Sequence, residues 1–115
     1  MLGEVYRVTR KVNKDLEKQF DKAMISIYQR ALFECRYKAT RFLQMIHESG
    51  GFQTAKTLLH TPGLQYGFEA LWEYRRLDLT MEALVLKPPW NKFFTDDEKQ
   101  IARKRLTDCG YTPEE

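Results

Sequence analysis

Apolar residues recur along this chain at steps of three and four, and Gly, Pro and capping residues cut the pattern into segments. Leu16, Phe20, Ala23, Met24, Ile27, Tyr28, Ala31 and Cys35 mark one face of an amphipathic helix. Ile25, Leu32 and Phe33 widen that face, so this helix is expected near the centre of the domain, with Asn13 as its N-cap. The pattern pauses at Arg36-Tyr37 and resumes with Ala39, Phe42, Leu43 and Ile46. Neither Pro nor Gly stands at the pause, which leaves one continuous helix or two separate ones open. Ser49-Gly50-Gly51 then breaks the chain, because Gly supplies the left-handed conformation common at helix ends.

A short helix with Phe52, Ala55, Leu58 and Leu59 follows and stops at Thr61-Pro62-Gly63. Leu64, Phe68, Leu71 and Trp72 have helical spacing, and so do Leu77, Met81, Leu84 and Val85, with Asp78 and Thr80 as capping types between them. Trp72 reads chiefly as a core residue. Pro88-Pro89 ends this segment. Trp90, Phe93 and Phe94 form a bulky loop expected to fold back onto the core. Thr95-Asp96-Asp97-Glu98 is a capping box, followed by Ile101, Ala102, Leu106 and Cys109 on the inner face and Gly110 at the end.

Residues 4–12 are β-branched and aromatic enough for a strand, but no second strand of that quality follows. They read as a basic arm or a segment laid on the helices, with an edge strand for a partner chain as the alternative. The expected fold is all-α: residues 13–115 form a compact single domain of five or six helices, long at the ends and short between. Residues 1–12 form the basic N-terminal arm or isolated strand. At 115 residues, with 43% hydrophobic and 13% aromatic content, the chain can bury one real core.

Charge changes the picture little in sum and more in distribution. The net charge is +3, from 19 Lys and Arg against 16 Asp and Glu. That permits an anionic partner without requiring one. The cations group as Arg7, Arg10, Lys11 and Lys14; as Arg30, Arg36, Lys38 and Arg41; and as Lys99, Arg103, Lys104 and Arg105. If two groups converge they make a groove for nucleic acid or another anion; otherwise they are a solvated face. A helix-turn-helix over residues 52–74 is a weak reading, since its second helix offers Glu69 and Glu73 where base-reading residues belong.

Catalytic and metal signatures are missing. His47 and His60 share no HxxxH or HExxH spacing, and Cys35 and Cys109 form no CxxC, so no metal site or cofactor is expected. The carboxylate pairs Glu69/Glu73 and Asp78/Glu82 read as salt-bridge partners, with Arg75 and Arg76 nearby. A carboxyl with a strongly raised pKa in a cleft would reopen the enzymatic reading through Glu73, Asp78 or Glu82. Gly50-Gly51 lacks the P-loop context and is explained as a helix break, with an anion at the following helix start as the weaker reading. No apolar run is long enough for a membrane span and no hydrophobic leader is seen, so a cytoplasmic protein without a membrane partner is expected.

Several motifs are distinctive in order and spacing: Ala39-Thr40-Arg41-Phe42-Leu43, Gly50-Gly51, Ala55-Lys56-Thr57-Leu58-Leu59, Tyr66-Gly67-Phe68, Leu71-Trp72-Glu73, Arg76-Leu77-Asp78-Leu79-Thr80, Glu82-Ala83-Leu84 and Phe94-Thr95. Over residues 20–111 the chain resembles a small uncharacterised helical family of bacteria and their mobile elements. That resemblance implies a bacterial or phage origin and a protein that acts by binding a macromolecule. It supplies no activity and no catalytic residue.

The expected function is non-enzymatic binding of a protein or anionic partner through an Arg and aromatic surface. Candidate contacts are Arg36, Lys38, Arg41, Arg75 and Arg76, with Tyr66 and Trp72 as anchors. A nucleotide or small-anion pocket lined by Lys56, Trp72, Arg76 and Asp78, and nucleic-acid binding, are the alternatives. Glu73, Arg76 and Asp78 stand out as polar residues where two short helices meet.

Overall fold

The fold follows the predicted helices closely. In the computed structural model they are α1 (Leu2–Cys35), α2 (Thr40–Ser49), α3 (Gly51–His60), α4 (Tyr66–Glu73), α5 (Met81–Val85) and α6 (Asp96–Asp108). Short 3₁₀ turns at Leu77–Leu79 and Trp90–Phe93 join the last three. Side chains are described for residues 14–65 and 67–115. Residues 2–12, expected as an arm or isolated strand, and Asn13, expected as an N-cap, instead run within α1, which begins at Leu2; Met1 lies outside the described residues. Among the described residues there is no strand, and no helix is long and apolar enough to cross a membrane.

The chain does break between α1 and α2, although no Gly or Pro marks the place. Arg36 adopts φ +54°, in the left-handed region, and the Tyr37 N–H donates to the Ala31 carbonyl at 3.1 Å. An L-residue in this conformation costs about 1 kcal/mol, which explains why composition alone did not show the break.

α1 supplies the central ridge. Phe20, Met24, Ala31 and Cys35 are buried, as their spacing predicts. Phe33, expected to widen the buried face, is instead 84% exposed. At 3.6 residues per turn it stands opposite both Ala31 and Cys35, two positions away on either side. Aromatic rings gather on Phe20, which stacks on Phe52 at 4.3 Å and meets Trp90 and Phe94 at 5.4 and 5.9 Å. The bulky loop thus folds back onto the core.

Gly50 and Gly51 do different work. Gly50 has φ +83° and caps α2, its N–H donating to the Ile46 carbonyl. Gly51 is there for closeness: a Cβ on it would lie 2.9 Å from Asp21 Oδ1, 3.0 Å from Phe20 and 3.3 Å from Met24. Its N–H donates to Asp21 Oδ1 at 2.6 Å. The anion at the start of α3 is therefore a side chain of this chain's own α1.

Two buried carboxylates tie the helices together. Glu82, in the first turn of α5, accepts from Arg105 Nη1 at 3.1 Å. The same guanidinium donates to the carbonyls of Leu58, Leu59 and Thr61, where α3 ends. Arg105 thus fills acceptors that a helix leaves unpaired at its C-terminus, and its charge suits that end of the dipole.

Glu98 completes the capping box: Thr95 Oγ1 accepts from the Glu98 N–H, and Glu98 Oε1 accepts from the Thr95 N–H. It also accepts from Lys56 Nζ and bonds His60 Nε2, both at 2.8 Å, which joins α6 to α3. Burial pushes the Glu98 carboxyl up. The hydrogen bonds from Lys56, the Thr95 N–H and His60 outweigh it and hold the pKa at about 2.

Gly51→Ala is expected to lower unfolding free energy by about 1–3 kcal/mol, because Phe20 and Met24 must move. Gly67→Ala, whose added Cβ would meet only Tyr37 at 3.6 Å and beyond, should change it far less. Urea denaturation of both variants compares them. Because the folded Glu98 pKa lies below its ordinary 4.5, its contribution is complete above about pH 4.5 and fades as pH falls toward 2. The shift caps this at about 3 kcal/mol, and solvent around Lys56 and His60 reduces it to about 1–2 kcal/mol. Glu98→Gln should therefore be less stable than the parent at pH 6, with the difference shrinking as unfolding is followed down to pH 2.

Candidate ligand-binding site

The break at Arg36 opens a cleft. Its walls are Ile27, Tyr28 and Ala31 of α1, Phe42 and Met45 of α2, and Gly67, Phe68 and Leu71 of α4. Leu79, Thr80, Met81 and Glu82 at the start of α5, with Leu58 of α3 and Gln65, complete it, and the connection from Tyr37 to Ala39 lines one side. The cleft encloses about 450 Å³, a volume usual for small-molecule sites.

Most of its polar groups are already engaged. The Thr80 hydroxyl donates to the Leu77 carbonyl and accepts from the Ala83 N–H. Glu82 is held by Arg105. Burial pushes the Glu82 carboxyl up, and its own backbone N–H and Arg105 offset this only in part. A carboxyl raised by burial in a cleft keeps an acid–base reading open at Glu82. No Asp, His or Cys joins Glu82 in the lining, however, and its contact with Arg105 is a strut between helices.

Lys38 and Arg41 are different. Both are exposed, both line the cleft, and neither has an ion pair among the described residues. They flank the start of α2, where the N-cap is Ala39, no side chain caps the helix, and the first turn holds no acidic residue. The starts of α3, α4 and α6 carry acidic groups: Asp21 at α3, Glu69 in the first turn of α4, and Asp96, Asp97 and Glu98 at α6. The α2 start is thus an unneutralised positive pole beside two free cations.

The remaining expected contacts are distributed elsewhere. Arg36 is exposed next to the cleft but does not line it. The side chain of Tyr66 lies outside the described residues. Lys56 is committed to Glu98 and sits 5.1 Å from the centre of the Phe94 ring. Arg76 donates to both oxygens of Asp78, at 3.0 and 3.1 Å, and reaches Glu34 at 2.8 Å. Hydrogen bonds from Arg76 pull the Asp78 carboxyl down, so this pair is an ion-pair clamp between α1 and the 3₁₀ turn. The polar trio Glu73, Arg76 and Asp78 does not form one site.

Trp72 is not a core residue. It is 45% exposed, because α4 buries only the line through Phe68 and Leu71. With Glu73, Arg75, Leu77, Cys109, Gly110 and Tyr111 it lines a second, shallower cleft of about 380 Å³. There α4 and α6 end alike. The Arg76 N–H donates to Leu71 and the Arg75 N–H to Trp72; the Tyr111 N–H donates to Leu106 and the Gly110 N–H to Thr107. Both are Schellman caps. Gly110 takes the left-handed position in one, and Arg75, at φ +60°, takes it in the other. Burial pushes the Cys109 thiol up, so it is no primed nucleophile. The pocket expected from Lys56, Trp72, Arg76 and Asp78 matches neither cleft.

The basic group on α6 is spent on partners. Lys99 pairs with Asp96, Arg103 with Glu115, Lys104 with Asp108 and Arg105 with Glu82. The described residues contain no cluster of His, Cys, Asp and Glu arranged for a metal. No protein-family model, curated protein or solved structure matches the chain.

Arg105→Met is expected to cost about 3–5 kcal/mol, because it strands Glu82 and the α3 carbonyls in the interior. Glu82→Gln keeps an acceptor for Arg105 and removes a charge that burial disfavours, so it should cost less than about 1.5 kcal/mol. Equal losses in chemical denaturation would show that the pair does not act as a strut.

Proposed function

We propose that this protein is a binding module whose larger cleft takes an apolar ligand carrying an anionic group. One observation carries the reading: an apolar cleft of about 450 Å³ whose unpartnered charges are Lys38 and Arg41, set at an uncapped helix start. Cations left free beside a positive helix end favour an anion. The apolar walls favour a ligand with a body to bury, which argues against nucleic acid, whose charge repeats along its length. Binding rather than catalysis is favoured because the carboxylate in the lining is committed to Arg105.

Anilinonaphthalene sulfonate, an apolar anion that fluoresces when shielded from water, is a suitable probe. Its affinity is expected to fall by about tenfold or more in Lys38→Glu/Arg41→Glu, a change of about 1.4 kcal/mol or more. Lys18→Glu, which reverses an exposed cation outside the cleft, should leave it unchanged. Equal affinity in all three proteins by fluorescence titration would refute the reading.

A further inference from the structure

The cleft can be read further, to the class of its occupant; this step rests on the reading just given. We infer that the occupant is a straight-chain aliphatic carboxylate, with its head between Lys38 and Arg41 and its chain along the apolar wall.

The free cations of the lining come from one short stretch, residues 38–41. The α4 and α5 walls add Gln65, the engaged Thr80 and the committed Glu82. An acidic amphipathic helix from a partner protein spreads its carboxylates along its length and is matched by cations along both rims of a groove. Cations confined to one stretch match a ligand with one head.

Ile27, Ala31, Met45, Leu71, Leu79 and Met81 give the wall an aliphatic stretch, beside the rings of Tyr28, Phe42 and Phe68. Methionine adapts its shape to what it meets, which suits a flexible chain. Tyr37 lies close to Gly67 of α4, within ordinary contact of where a Cβ would stand. The α1–α2 connection thereby forms a side wall near the charged end.

About 450 Å³ holds roughly fifteen groups the size of a water molecule or a methylene, at about 30 Å³ each. A chain of roughly twelve to fourteen carbons fills it while its head stays at the rim.

The test is calorimetric titration of unbranched carboxylates of about six to sixteen carbons, each below its micelle concentration, with dodecyltrimethylammonium as the cationic control. Affinity is expected to rise about fourfold per methylene, to level off near twelve to fourteen carbons, and to be at least about tenfold weaker for the cation. Lys38→Glu/Arg41→Glu should remove the preference for the carboxylate. A flat dependence on chain length, or a cation that binds as well, overturns the inference. If anilinonaphthalene sulfonate still depends on Lys38 and Arg41 in that case, the cleft reading stands and only the occupant is wrong. If an acidic amphipathic peptide binds through the same two residues more tightly than every carboxylate, the occupant is a protein segment and the inference fails. If neither sulfonate nor carboxylate responds to the two substitutions, the cleft reading fails with it.

Discussion

Arg105 joins the end of α3, the start of α5 and the body of α6 through one guanidinium. The planar fork is what allows this, since its donors can serve several acceptors in fixed directions at once. A lysine offers a single point of charge and could not fill the same set. The cleft depends on this contact, because Leu58 and Glu82, both in its lining, are the residues that Arg105 holds. The small α5 has five residues. It is too short to be stable alone, and its position as cleft floor rests on packing, on the Thr80 cap and on this strut.

Two groups of cations contrast among the described residues. Lys56, Arg76 and Arg105 neutralise carboxylates and join helices or turns, while Arg103 and Lys104 neutralise carboxylates on or just after α6. Lys38 and Arg41 neutralise nothing among the described residues and face the cleft. The modest net charge of +3 conceals this division. A basic residue at a helix junction is informative here because its neighbours leave it unpaired, and a basic run on α6 is uninformative because each member has a partner.

Much of the fold was legible in the chain. Three- and four-residue steps located the helices, and the local caps at Gly50, Thr80, Thr95 and Gly110 behave as their residue types predict. These signals are local, with partners within a turn or two. What stayed hidden is long-range. Asp21 serves Gly51 across 30 positions, Lys56 serves Glu98 across 42, and Arg105 serves Leu58 across 47. No periodicity reports such pairings. For the site, Lys38 and Arg41 were legible as cations at a junction, while the apolar walls facing them depend on how α4 and α5 fold back. Trp72 was misread because a large aromatic at helical spacing normally faces inward, and α4 is narrow enough to bury one line of residues only.

The left-handed backbone at Arg36 has a larger consequence than ending a helix. Had α1 continued past Cys35, Lys38 and Arg41 would ride on a convex rod, about 5 and 9 Å further along its axis. Their charges would then face open solvent from the outside of a cylinder. Reversing the chain within residues 36–39 turns the same sequence inward, and a surface that would bulge becomes hollow. The concavity of this protein therefore depends on a main-chain torsion as well as on the Arg105 strut. A torsion of that kind can persist through wholesale exchange of the residues around it, so the shape of the hollow and the chemistry of its lining are free to change independently.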